Sequence, residues 1–490
     1  MEELASTMSP DDRSIAYRSH VDLDDLDFRH PLPHRYLAEM VRWPPERMRA
    51  HQELLFADVL RRAWANRFYR TFWGRAGIEP GDIRGLDDLA RLPVITHHDL
   101  RNSLAECSPF GVHARQAFES RATVPLKIQS SGGTTGAPRP TFFDPVETEV
   151  QAIQVARALL AQGIRAGDVM QIPVTLALAN LGWIYYRACH NYLGVIPLTT
   201  GSGKVTPSRV QLELAARWGT NVWGGFPDYQ LRLCEVAEAI GFDLASLNTR
   251  FVNSHLGADP GDVVRNRLRD RWNCPVYDMY GTHEVGVIAF ESEAREGLHF
   301  SEDTAFVECL DPASFQPVAP GMRGNVVVTS LYRRNPPLIR YDLGDQTILL
   351  PDEIGTNGFR RRRMSRFLGR SDDVVKVRGT NVSPEACAES LLPYADRIGE
   401  WLCVVTREGR GDVYSDQLTV RLETREPSSI FAAELGSRLS QDLGLSVAVE
   451  FVSPGALATD TRADSEGERK VRRILDLREN EVQRGERRNG

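Results

Sequence analysis

Between residues 168 and 277 the sequence alternates short β-prone runs with helix-length amphipathic segments, and this rhythm constrains the fold more than any other feature. Runs 168–172 and 195–199 read as strands, separated by an aromatic segment containing Trp183, Tyr185 and Tyr186. A helix over 207–217, a strand over 220–223, a helix over 228–240, a strand over 250–254, a helix over 260–271 and a strand over 275–277 follow. Gly or Pro marks most of the junctions. A βαβα series of this kind predicts an α/β fold with a largely parallel sheet. Upstream, Pro44-Pro45 opens a predicted helix to about Arg70, and its Trp64, Phe68 and Tyr69 read as core. Thr96 reads as the cap of the next helix; the adjacent His97 and His98 cannot share one helix face, which argues against a metal site. A strand at 141–143 precedes a helix over 147–162, and 286–368 turns to short strands. From residue 371 a smaller α+β unit is expected: a strand at 374–377, a helix at 384–391, strands near 400–406 and 416–422, a helix at 428–442 and a strand at 446–452. Residues 1–44, polar and dotted with proline, are expected to wrap over the surface or fray.

A chain of 490 residues has room for about three domains. Its net charge of −7 gives no electrostatic reason to bind nucleic acid or an anionic membrane. Seven scattered cysteines without a CxxC pair suit reduced thiols rather than a disulfide frame or a zinc knuckle. No apolar run reaches the roughly 18 residues of a membrane helix, and the N-terminus lacks the apolar core of a signal peptide. The expectation is a soluble cytoplasmic protein without nucleic-acid or membrane partners; a homodimer is allowed.

Several stretches carry chemistry. Ser130 to Gly136 are all Ser, Gly or Thr, a composition that packs nothing but offers backbone N–H groups and hydroxyls to a phosphate. It lacks the Gly-Lys-Ser/Thr ending of a Walker loop, and a plain linker is the alternative. Tyr277-Asp278-Met279-Tyr280-Gly281-Thr282-His283-Glu284 is predicted just past a strand end, where open α/β sheets bind ligands. Tyr280 is suited to stack on a purine and Glu284 to hold a divalent cation against phosphates; a plain strand–turn is the alternative. Asp345, after Gly344, is suited to accept both hydroxyls of a ribose, although most Gly-Asp pairs are only turns. Gly369-Arg370-Ser371-Asp372-Asp373 falls at the predicted domain boundary. Lys470 near the C-terminus would by itself read as a solvated charge.

Taken in this order, the motifs resemble those of the adenylate-forming enzymes (acyl-CoA synthetases, adenylation domains and luciferases), in the phenylacetate–coenzyme A ligase branch. The likeness runs from about residue 60 to about 480 and includes a pattern that belongs to the branch: Phe68-Tyr69-Arg70, Gly77, Asp82-Ile83, Leu86, Leu92-Pro93 and Asp99-Leu100-Arg101. The resemblance implies ATP-dependent activation of a carboxylic acid as an acyl-adenylate, with release of pyrophosphate. A nucleophile, the thiol of coenzyme A first among them, then displaces AMP. Alternative acceptors are an amine such as an amino acid, or a carrier-protein thiol; a non-catalytic nucleotide-binding paralogue is the remote alternative. It implies an N-terminal helical segment (1–105), a large domain (106–370) of packed, mostly parallel α/β sheets with a distorted β-barrel-like part, and a small mobile lid (371–490). Carried over residue by residue, Ser131, Gly132, Gly133, Thr134, Thr135 and Gly136 cradle phosphates. Tyr280 stacks on adenine, with Gly257, Ala258 and Asp259 along its other side and Asp278, Met279, Gly281 and Thr282 completing the nucleotide site. Asp345 and Arg370 hold the ribose, Glu284 binds Mg2+, Asp372 is the hinge, and Lys470, with Glu284 and His283, forms the catalytic set.

The sequence departs from the family pattern in places. The phosphate stretch has a doubled glycine, and Ala137 and Arg139 replace the usual neighbours. His283 stands where a threonine is usual, Asp342-Leu343 where a basic–Thr pair is, and Arg469 where a glycine is. Ser292 and the cysteine-free stretch 355–369 speak against the zinc site of many relatives, so no zinc is expected. The acyl pocket is expected beside Ala179, Trp183, Tyr186, Trp223, Gly225 and Phe226, whose aromatic rings suit an aryl or cyclic acid or, equally, a core. The basic run 360–363 reads as a solvated loop, with the phosphates of coenzyme A as the alternative.

Overall fold

A computed structural model of the chain describes residues 16–130, 139–371, 375–378, 380–410, 413–461 and 472–478. Its centre is an eight-stranded sheet. Five strands, β3 (Val169–Gln171), β4 (Ile196–Leu198), β5 (Val222–Trp223), β6 (Phe251–Ser254) and β7 (Val276–Thr282), run parallel in the order β4-β3-β5-β6-β7. Three antiparallel strands, β8 (Gly286–Phe290), β9 (Leu298–Phe300) and β13 (Arg363–Met364), extend it beyond β7. Alternation along the strands sends Val222, Phe251 and Met279 into one core with the helices Pro145–Ala161 and Leu181–Arg187. Trp223, Val252 and Val276 enter a second core, against the helices Ser208–Trp218, Pro227–Ile240 and Val263–Trp272. The predicted α/β class is the observed one.

Beside this sheet, β10 (Ala305–Leu310), β11 (Arg323–Ser330) and β12 (Tyr341–Ile348) form an open three-stranded antiparallel sheet rather than a closed barrel among the described strands. The hairpin of β1 (Lys127–Ser130) and β2 (Pro140–Phe143) stands apart from it. After residue 371 come the pair β14 (Val375–Val377) and β15 (Thr380–Val382), then β16 (Trp401–Arg410), β17 (Val413–Glu423), β18 (Val447–Val452) and β19 (Ile474–Asp476) in the order β18-β17-β16-β19. These pack with the helices Pro384–Leu391 and Ser429–Leu443 around their own core, which includes Val405, Val420, Leu435 and Leu439.

The structure corrects four local expectations. The helix predicted to about Arg70 ends at Ala65, because Asn66 caps a new helix, Arg67–Arg75, by accepting from Phe68 N at 2.9 Å. Strand β7 continues through Thr282, so Tyr280 lies inside a strand. The antiparallel return of β8 prolongs it, through a turn ending at Gly286 (φ +74°), where a Cβ would meet Gln154 Oε1 at 2.2 Å. The N-terminal stretch is no fringe from residue 16 onward: Tyr36, Met40 and Val41 are fully buried. In the basic run, Arg361 and Arg363 are buried, Arg361 donating to Trp43 O (2.6 Å) and Arg363 to Glu296 O (3.0 Å), so they clamp backbone instead of facing solvent. Among the described residues no helix is long and apolar enough to cross a membrane.

Two buried features have measurable consequences. Arg157 makes a forked pair with Asp303 (2.8 and 2.9 Å) and donates to Pro31 O, all without solvent exposure at either side chain. Arg157→Met leaves Asp303 an uncompensated buried charge and is expected to cost about 3–5 kcal/mol in denaturant unfolding, most of it recovered when Asp303→Leu is added. Burial also pushes His113 down to about 3 and His299 down to about 4. The folded chain keeps both neutral while the unfolded chain protonates them from about pH 6.5 downward. Their contribution to stability is therefore complete above that pH and is lost as pH falls toward 4. Comparing denaturant midpoints at about pH 7 and about pH 5, His299→Phe is expected to show the shallower pH dependence.

Candidate active site

Residues from three separate parts of the chain meet at Tyr280. Period two along β7 places Asp278 and Tyr280 on one face and Met279 on the other, where Met279 is buried in the core. The Tyr280 hydroxyl donates to Asp345 Oδ2 at 2.8 Å, and Asp345 Oδ1 accepts from Arg370 at 2.7 Å. Asp345 comes from β12 and Arg370 from the segment that bridges back to it. Burial, followed by the Asp345 charge, holds the Tyr280 hydroxyl well above the usual phenol range, so it stays a donor. The ring of Phe367 lies parallel to that of Tyr280 at 6.2 Å, a neighbour the sequence reading did not single out. Gly369 (φ +112°) admits the Glu385 carboxylate against its backbone; a Cβ there would lie 2.0 Å from it.

Asp278 works through the backbone. Its carboxylate accepts from Leu256 N (3.1 Å) and Met279 N (2.8 Å), which fixes the approach to Gly257 and Ala258. Burial and the neighbouring Glu291 carboxylate push Asp278 up, while Glu291 itself is gripped by Arg265 through two 2.8 Å bonds. Gly257 (φ +70°) and Ala258 are exposed. Asp259 is buried and accepts from Val264 N and Arg265 N, both at 2.9 Å, which ties its carboxylate to the start of the Val263–Trp272 helix.

At the turn after β7, Glu284 pairs closely with Arg139, just before β2. Against the burial that would raise it, Arg139 and then His283 draw Glu284 down to about 2. Arg139 also lies 3.4 Å from the Tyr341 hydroxyl, which is 2.7 Å from His97 Nδ1. His283 packs edge-on to Phe143 at 5.9 Å, and burial pushes it down to about 4, so its imidazole is neutral. Its Nε2 is buried without a hydrogen-bond partner among the described residues. The predicted phosphate residues Ser131, Gly132, Gly133, Thr134, Thr135 and Gly136, together with Asp372 and Lys470, lie outside the described residues. The β1–β2 register pairs Ser130 with Pro140, which holds the residues flanking this predicted phosphate stretch side by side.

The expected acyl residues divide. Phe226 is half-buried beside His255 (5.7 Å), and His255 meets the buried ring of Tyr185 edge-on at 6.3 Å; Gly225 O accepts from His255 N. Trp223 is fully buried on the opposite face, against Trp272 at 4.8 Å. Tyr186 stacks on His190, in the π-helical turn Ala188–Leu193 that follows its helix, and Trp183 donates to Ala177 O. Ala179 is half-buried. Tyr185, on the helix Leu181–Arg187, and His255, just after β6, thus stand beside Phe226. Ser292 Oγ accepts from Asn357 Nδ2 at 2.9 Å, joining the two segments considered for zinc.

No protein-family model matches the chain. The phenylacetate–coenzyme A ligase of Thermus thermophilus is 30% identical over 476 residues, which cover 90% of this chain and 99% of that protein. A crystal structure of 2-hydroxyisobutyryl-CoA ligase in the postadenylation state with 2-HIB-AMP superposes with a TM-score of 0.75 at 25% identity, covering 92% of this chain and 94% of that one. The same enzyme in the thioesterification state, with 2-HIB-AMP and CoA, gives 0.63 at 26% identity and the same coverage. Fold and site thus define an adenylate-forming enzyme, an ATP-dependent ligase. The chain belongs to the phenylacetate–coenzyme A ligase family.

Proposed function

We propose that this enzyme joins an aryl or cyclic carboxylic acid to coenzyme A in the cytoplasm, and that its residues take the roles of the adenylate-forming pattern. The observation that carries the reading is the meeting of Tyr280, Asp345 and Arg370 in a chain whose likeness to a phenylacetate–coenzyme A ligase spans 99% of that protein. In the first half-reaction the acid's carboxylate oxygen attacks the α-phosphorus of ATP, an acyl-adenylate forms, and pyrophosphate leaves with the electrons of the broken P–O bond. In the second, the thiol sulfur attacks the acyl carbon, loses its proton, and AMP departs. Chemistry of this kind depends on positioning and charge neutralisation.

Tyr280 lies against the adenine with Gly257 and Ala258 opposite. Asp345, which accepts from Tyr280 and from Arg370, also accepts from the ribose hydroxyls. Ser131, Gly132, Gly133, Thr134, Thr135 and Gly136 grip the leaving pyrophosphate, to which neutral His283 offers a ring N–H. Lys470 bridges the carboxylate and the α-phosphate, carried by a lid (371–490) that turns about Asp372. The higher TM-score against the postadenylation state than against the thioesterification state supports a conformation nearer to the former. Among the described residues no three His, Cys, Asp or Glu side chains gather into a resident metal site. A magnesium ion that arrives with the nucleotide needs only one or two protein carboxylates, which Glu284 suits, and it would neutralise phosphate charge there. Gly225, Phe226, Tyr185 and His255 border the acyl group.

The experiment is acid-dependent AMP release across a panel of acids, with coenzyme A, amino acids, a carrier protein or no acceptor. Aryl and cyclic acids with coenzyme A are expected to give the fastest turnover; faster release with an amine would overturn the choice of acceptor, and silence with every acid would leave only a binding protein. Lys470→Ala is expected to abolish acid-dependent ATP–pyrophosphate exchange, a loss of at least about 10²–10³, yet spare thiolysis of a supplied acyl-adenylate. Near-normal exchange would show that another residue bridges the reacting groups.

A further inference from the structure

The cation nearest in sequence to the phosphate stretch does not face solvent. Residues 131–138 contain no lysine or arginine, and Arg139, directly after them, lays its guanidinium on Glu284. Both side chains are mostly enclosed, at 18% and 13% exposure. A relay from the N-terminal helices steadies the arginine. His97 Nε2 lies 3.2 Å from Leu343 O and so carries the ring proton, leaving Nδ1 to accept from the Tyr341 hydroxyl. The oxygen of that hydroxyl then turns its lone pairs to Arg139, 3.4 Å away. Arg139 therefore rests on the carboxylate that the proposed function gives to magnesium.

One carboxylate edge cannot hold a guanidinium and a divalent cation at once without bringing two positive charges together in a partly enclosed site. A guanidinium released beside a polyphosphate finds there the ligand it matches best, through forked N–H···O bonds. We propose that Arg139 is an exchanging cation. It holds Glu284 while the enzyme is free of nucleotide and transfers to the polyphosphate of ATP when the magnesium ion that accompanies the nucleotide takes Glu284. Metal and nucleotide thereby bind as a unit: the empty site resists a bare divalent ion, and the phosphates gain a protein cation only once the metal is in place. The inference rests on the reading of Glu284 as the magnesium carboxylate.

Mn2+ serves as the probe of the metal site in the nucleotide-free protein, followed by electron paramagnetic resonance, and ATP affinity with and without Mg2+ is followed by calorimetry. Arg139→Gln is expected to bind Mn2+ about tenfold more tightly than the wild type and ATP with Mg2+ about tenfold more weakly, within the usual range of coupling between two ligands. Arg139→Lys, which keeps the charge, is expected to stay within a few-fold of the wild type in both. Unchanged Mn2+ affinity in Arg139→Gln overturns the resting pair as a guard of Glu284, and unchanged ATP affinity overturns the transfer. Glu284→Gln separates the two readings. If it abolishes the Mg2+ dependence of ATP binding while Arg139→Gln behaves as wild type, only the exchange fails; if it leaves that dependence intact, the magnesium reading of Glu284 and the exchange fall together.

Discussion

The helix Pro145–Ala161 is enclosed on every side, and the rest of the molecule is arranged to satisfy its polar side chains. Every residue from Glu147 to Leu159 is buried, although five of them are Glu, Gln or Arg. Buried polar groups must find partners, and each of these draws in a different part of the chain. Glu147 accepts from the backbone at Asn335 and faces Arg333; Glu149 accepts from Tyr17, Tyr192 and Arg187. Gln151 binds Asn180, Gln154 binds Val287 N and Thr304, and Arg157 binds Asp303 and Pro31. One helix thus ties together the N-terminal segment, the aromatic helix, the β7–β8 hairpin and the loop before β10.

That arrangement explains where the site lies. Gln154 fixes the start of β8, and the turn just before it carries His283 and Glu284. The same helix starts directly after β2, so β2 and the β7–β8 turn share one rigid support. Arg139 and Glu284 meet across this junction, and Tyr341 and His97 reach it from the antiparallel sheet and the N-terminal helices. The candidate site is a seam between separately built layers. Ligand sites favour such places because convergent polar groups can be held there without being packed away.

Much of the local structure was legible in the sequence. Thr96 and Asp99 form the reciprocal cap that Thr96 announced, and the alternating series from 168 to 277 became parallel strands and helices close to their expected limits. Within the candidate site, the pairing of Asp345 with Arg370 joins two residues the motifs had already marked. What escaped notice depends on partners distant in the chain. Arg361 and Arg363 look like a solvated run until Trp43 and Glu296 supply carbonyl acceptors. Trp223 looks like a pocket residue until strand alternation turns it toward Trp272.

The sequence by itself determined the class of fold and the inventory of reactive groups, because hydrophobic period, caps and glycine-rich motifs are written in residues a few positions apart. Only the tertiary structure decided which of those groups face one another. The Tyr280–Asp345–Arg370 constellation, the resting of Arg139 on Glu284 and the neutrality of His283 all follow from burial and from contacts across more than twenty residues of chain. Proximity of that kind is set by how the layers close around the enclosed helix, and no local pattern encodes it.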